Sequence, residues 1–195
     1  MMRCLRFAVP AVLVLASPVW AQGNGGDCRV DGDLPGQIKR CSEIISDSTV
    51  LRPARGVAYL YRCQARDMQG DFSAALGDCL TSVDLNPDDA STYNSLNIVY
   101  RNLGRYRDSV AAATKAMELN PDEGSHYAGR AASYCKLGDY TASLKDRLKA
   151  IELGYLNVER VQEFLKSKGF YTKNVDGKMG DGTLKALRDW TDGGC

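Results

Sequence analysis

The chain of 195 residues has one histidine, His126, two tryptophans and no CxxC pair. A single imidazole, with cysteines so spaced, offers too few ligands for a zinc site, and no cofactor is implied. Neither sign of charge dominates, with 25 Lys and Arg against 24 Asp and Glu. Phosphate binding leaves a basic stripe, and none is visible, so nucleic acid is excluded as a partner. Long apolar runs are equally scarce. The one present, Phe7 to Ala16, follows Arg3 and Arg6 and precedes small or neutral residues around Val19 to Ala21.

That arrangement is a secretory signal peptide over residues 1–21. Its run of about ten apolar residues is half the roughly 20 that a membrane span needs. Cleavage after Ala21 exposes Gln22 rather than the cysteine of a lipoprotein, so no membrane insertion is expected afterwards. Loss of Arg3 and Arg6 leaves 23 basic against 24 acidic residues, a formal charge of −1. The expected destination is across the inner membrane into a bacterial periplasm. Six cysteines then remain: Cys28, Cys41, Cys63, Cys79, Cys135 and Cys195. An even count in an exported chain reads as disulfides, although six cysteines allow 15 pairings.

Three segments align at an interval of 34 residues: 56–89, 90–123 and 124–157. Tyr59, Tyr93 and Tyr127 share one position; Gly70, Gly104 and Gly138 another; then come Phe72, Tyr106 and Tyr140, and Leu85, Leu119 and Leu153. On these residues the chain resembles the tetratricopeptide repeat family, whose unit is a helix, a turn and a second helix. The resemblance implies an all-α solenoid of stacked hairpins, because one hairpin cannot bury its own apolar face. The glycines fall where a left-handed cap ends the first helix, and Asn86-Pro87 and Asn120-Pro121 end the second. Small residues at Cys63, Ala75, Ala113, Ala116 and Ala131 let paired helices approach. Ile38 to Ser46 overlays Gly77 to Leu85 and reads as the second helix of a degenerate capping unit within residues 22–55.

Cys63 and Cys79 lie equally far from the hairpin midpoint near Asp71, level on antiparallel helices, which suits a bridge. The remainder gives Cys28 with Cys41 and Cys135 with Cys195, the last two being also compatible with free thiols. In the repeat family the concave side of the first helices carries partner contacts. The matching positions are Leu60, Gln64, Met68, Asn94, Ile98, Arg101, Asn102, Ala132 and Lys136, for an unknown protein or peptide. Arg101 and Lys136 suit an acidic or C-terminal carboxylate segment.

Residues 158–195 differ in kind. VQEFLKSKGFY, then VDGKMGDGT, then an amphipathic helix with an aromatic near its end resemble the peptidoglycan-binding module found beside cell-wall hydrolases. The motif falls on Gln162, Leu165, Gly169, Tyr171, Asp176, Gly177, Gly180, Thr183, Ala186, Leu187 and Trp190. It implies contact with peptidoglycan, with Tyr171 and Trp190 on a shallow sugar-binding face. Gly177, Gly180 and Gly182 allow the tight reversal, and Asp176 and Asp181 suit free amides in the turn or at the helix start. The acidic spacing does not fit a calcium loop. The match covers about 35 residues, and Val158 to Lys168 also begins where a fourth repeat would, so a capping helix is the second reading; the DG, G and T spacing, which a cap does not need, favours the module.

Catalysis is not expected, and no catalytic or metal residue is assigned. His126 opens a repeat helix and reads as an exposed or capping side chain. No cysteine sits in a nucleophile motif. Asp88-Asp89 and Asp122-Glu123 read as solvated helix starts. The sequence reads as an exported adaptor, with repeats for a protein partner and a wall-associating C-terminal module. The alternative is an interaction protein whose last helices only cap the stack.

Overall fold

The computed structural model describes residues 28–30 and 32–195. The expected signal segment and the first residues after it lie outside the described residues. All regular structure among the described residues is helical: α1 (Leu34–Ser46), α2 (Arg52–Met68), α3 (Phe72–Leu85), α4 (Ala90–Asn102), α5 (Tyr106–Leu119), α6 (Gly124–Leu137), α7 (Tyr140–Glu152), α8 (Val158–Ser167) and α9 (Asp181–Asp192).

Local chemistry sets the helix ends. Asp71 caps α3 by accepting the Ala74 N–H at 3.1 Å, and Asp139 caps α7 by accepting the Ala142 N–H at 3.0 Å. Asp89 and Glu123 do the same for α4 and α6, so the acidic pairs between repeats are helix starts. Gly70, Gly104 and Gly138 hold φ of 83°, 72° and 78°, the left-handed turn that stops each first helix. Helices α2 to α7 thus form three hairpins that pack in chain order, with α4 also touching α2 and α6. The first helices line one side of a solenoid. Helix α1 packs on α2 ahead of the first hairpin.

The hairpin interiors hold small residues. Cys63, Ala75, Cys79, Ala113, Ala116 and Ala131 are fully buried. Repeats one and three also carry a buried ion pair at the same positions. Arg62 Nη2 meets Asp78 at 2.8 Å, and Arg130 Nε meets Asp146 at 2.7 Å. In repeat two those positions are Leu96 and Ala112, both buried and apolar. Disulfides join Cys28 to Cys41, Cys63 to Cys79, and Cys135 to Cys195. The last ties the chain's final residue to α6.

The C-terminal helices share the solenoid's core. Helix α9 lies against α7 and against α8. Buried Leu165, Tyr171, Ala186 and Leu187 pack with Leu144, Leu148 and Ile151 of α7 in one cluster. Two helices, not three, follow the last repeat. Their apolar faces are closed by α7, which supplies the wall that a third helix would provide.

Candidate functional site

Three neighbouring first helices leave a groove of about 610 Å³ along the concave side. Gln64 and Met68 from α2, Asn94 and Ile98 from α4, and Ser125 and His126 from α6 line it. Met68 is 73% exposed, an apolar side chain held out at the rim. Gln64 Nε2 donates to Ser95 Oγ at 3.0 Å, which fixes its amide across the α2–α4 seam. Asn102 Nδ2 donates to Asp67 Oδ1 at 2.8 Å and ties the same two helices. Arg101 lines a smaller recess of about 190 Å³ beside Asn94, Ile98 and Tyr155.

Other expected contact positions sit elsewhere. Leu60 is only 5% exposed and belongs to the core, on a helix that packs against both α1 and α3. Ala132 is half-buried, and Lys136 is exposed in the last turn of α6. The groove itself contains Asp67 and Glu123 and no lysine or arginine. Its charge therefore suits a neutral or basic segment better than the acidic one expected from Arg101 and Lys136.

His126 departs from expectation. It is 3% exposed, and neither ring nitrogen has a hydrogen-bond partner. Burial lowers its pKa below the ordinary 6.5, against a smaller upward pull from Glu123. The residue is neither an exposed nor a capping side chain; it forms part of the groove's floor, with both ring nitrogens buried beneath the surface. Sequence position alone hides this, because burial is set by tertiary packing rather than by place in the helix.

The glycine turn is organised by one side chain. Fully buried Gln162 of α8 accepts the N–H groups of Asp176 at 3.0 Å and Gly177 at 2.9 Å through Oε1. Its Nε2 lies within 2.8 Å of Asp176 Oδ1 and Thr183 Oγ1, and 3.0 Å of the Lys178 carbonyl. Those contacts hold the Asp176 carboxyl below its ordinary value: Gln162 contributes most, and the Lys178 N–H at 3.0 Å adds to it. Of the three turn glycines only Gly177 needs positive φ, at 68°; Gly180 is extended and Gly182 lies within α9. Asp176 bonds turn amides as expected, whereas α9 starts with no side-chain cap, so Asp181 does not cap it.

The aromatic platform is not as expected. Tyr171 is 6% exposed, packed in the shared core, and its hydroxyl donates to the Asn174 carbonyl at 3.2 Å. Trp190 is half-buried: the Arg147 guanidinium lies 4.4 Å from its ring centre, and Phe164 meets it edge-on at 4.9 Å. Leu165 is fully buried, and Gly169 takes φ of 81° after α8.

No family model and no curated protein matches this chain. Solved structures do. A crystal structure of MamA, a tetratricopeptide-repeat protein, shares 21% identity over 70% of this chain and 72% of its own, with a TM-score of 0.56. A second MamA crystal structure matches at 21% identity over 73% and 71%, with a TM-score of 0.56. A third, MamA MSR-1, matches at 21% over 64% and 69%, with a TM-score of 0.54. At that identity the likeness is one of fold, and the fold of this chain is the helix-hairpin solenoid of tetratricopeptide-repeat type.

Proposed function

We propose that this chain is an exported, non-enzymatic scaffold that holds an extended segment of another protein in its concave groove. The observation that carries the reading is the groove over α2, α4 and α6. It sets amide and hydroxyl side chains (Gln64, Asn94, Ser91, Ser95) beside apolar Met68 and Ile98. Such side chains pair with a peptide backbone, and the apolar pair receives alternate side chains. The acidic lining favours a neutral or basic segment. Three disulfides support export, as does the sequence of residues 1–21. Among the described residues no helix is long and apolar enough to cross a membrane.

A photo-crosslinking side chain placed at position 68 or 98 tests this in the native host. A discrete adduct is expected from either, and none from the same group at Lys115 on the opposite side. Equal labelling at all three positions, or none, defeats the reading.

Association with peptidoglycan is the second reading. The turn built around Gln162, Asp176, Gly177 and Thr183 favours it, since these are the residues of the resemblance. With Tyr171 buried, wall contact would use the turn's rim and the exposed side of α8. The intact chain is then expected to sediment with purified peptidoglycan, and the chain ending at Tyr155 to stay in solution. Equal sedimentation of both removes the wall from the account and leaves the last helices as a cap.

A further inference from the structure

A second groove, of about 440 Å³, runs between α7 and the C-terminal helices. Ile151, Val161 and Leu187 form its apolar walls, and Phe164 and Tyr155 stand at its mouth, 40% and 54% exposed. Arg147 enters from α7. Its Nε is buried with no hydrogen-bond partner, and among the described residues no carboxylate lies within ion-pair distance of it. Burial alone lowers its pKa to about 10. Arg160, exposed on the rim, has no ion pair either.

The contrast within the fold is informative. Arg62 and Arg130, comparably enclosed, each grip an aspartate. Arg147 instead stacks on Trp190, and stacking stabilises a guanidinium through its face while leaving its in-plane N–H donors unused. Those donors are the ones that grip a carboxylate in a two-point fork. A desolvated cation without a counter-charge is unfavourable, and an anion entering the groove relieves it.

We infer that this groove docks a protein segment carrying a carboxylate beside an aliphatic or aromatic side chain. The carboxylate sits on Arg147 and Arg160, and the apolar side chain packs on Ile151, Leu187 and Phe164. A glycan fits less well, because the Trp190 face that would stack on a sugar is already covered by Arg147. The site meets the concave groove at Tyr155, which lines both, but Arg147 and Arg160 line only this one, and the inference does not rest on the concave groove's function.

Trp190 makes the test direct, because it is the only tryptophan of a chain beginning at Gln22. The probes are a library of seven-residue peptides with free C-terminal carboxylates, selected on the immobilised protein and then titrated while Trp190 fluorescence is followed. Selected peptides are expected to place a carboxylate next to Leu, Ile or Phe and to shift the fluorescence saturably. Neutralising that carboxylate, or making Arg147→Gln, should weaken binding at least about tenfold. Arg160→Gln, on an exposed side chain that the fold does not need, should weaken it in the same direction. Ile98→Asp in the concave groove should leave it unchanged. Failure to select any peptide, or binding indifferent to both arginine variants, overturns the inference. So does a Trp190 response to soluble peptidoglycan fragments alone.

Discussion

The side-chain carbonyl of Gln162 accepts the backbone N–H of Gly177 at 2.9 Å, joining a buried position of α8 to the one glycine of the turn with positive φ. The pair explains why glycine stands at position 177, where the chain takes positive φ to bring its N–H to the buried amide. The turn is wrapped around an amide whose oxygen accepts two N–H groups while its two N–H donors face four surrounding oxygens.

Replacing that amide with an isosteric apolar group tests the arrangement. Gln162→Leu leaves the Asp176 and Gly177 N–H groups without their partner. Both residues are exposed, so water takes up part of the lost bonding, and each hydrogen bond removed costs about 0.5 to 1.5 kcal/mol. Urea unfolding should show the loss, and limited proteolysis should cut within residues 172–182 far faster than in the parent. An unchanged midpoint and cleavage rate would mean that the turn holds itself.

The ion pairs of repeats one and three supply a second prediction, with repeat two as the internal control. Asp146→Ala strands Arg130 in a largely buried setting and should cost about 3 to 5 kcal/mol. Adding Arg130→Leu reproduces the Leu96 and Ala112 arrangement of repeat two and should restore much of that loss. Thermal melts of the single and double variants decide it. A double variant no better than the single would show that repeat three cannot accept its neighbour's solution.

Much of this was open to reading in the sequence, and the gaps have physical reasons. The 34-residue period and the capping residues fix the hairpins, because those signals act within a few residues of themselves. The Arg62–Asp78 and Arg130–Asp146 pairs share a spacing of 16 residues but skip the repeat between them, and nothing in that spacing separates a buried ion pair from two solvated charges. His126, Leu60 and Tyr171 misled for a different reason. Their exposure depends on which neighbouring helix covers them, and for Tyr171 that cover comes from α7, a distant part of the chain. The hub role of Gln162 was hidden likewise: its position was marked, but its bonds run to residues 14 to 21 positions away.

Gly129 and Asn97 make a coupled pair. A Cβ at Gly129 would stand 2.3 Å from Asn97 Oδ1, and Asn97 cannot swing away freely because its Nδ2 donates to Ser109 Oγ at 2.7 Å. Gly129→Ala should therefore cost roughly 1 to 3 kcal/mol by overpacking. In an Asn97→Ala background the same change should turn neutral or gain roughly 0.5 to 1 kcal/mol, as alanine does over glycine inside a helix. A double-mutant cycle by chemical denaturation measures the sign change, and additive effects would refute the contact.

His126 gives the pH dependence. Its folded pKa is lowered by burial from the ordinary 6.5, so the unfolded chain takes up its proton first as pH falls. Above about 6.5 both states are neutral and the native state keeps its full stability. Below it, protonation favours the unfolded chain until the pH drops through the folded value, where the loss levels off. No other side chain in the chain is an imidazole, and the carboxylates titrate lower, so the slope between pH 7 and 5 is largely that of His126. Stability measured by urea unfolding should thus decline across that interval in the parent and be nearly flat in His126→Gln. If the parent instead gains stability as pH falls, the folded pKa is raised rather than lowered, and the buried imidazole is charged in the native state beside a counter-charge.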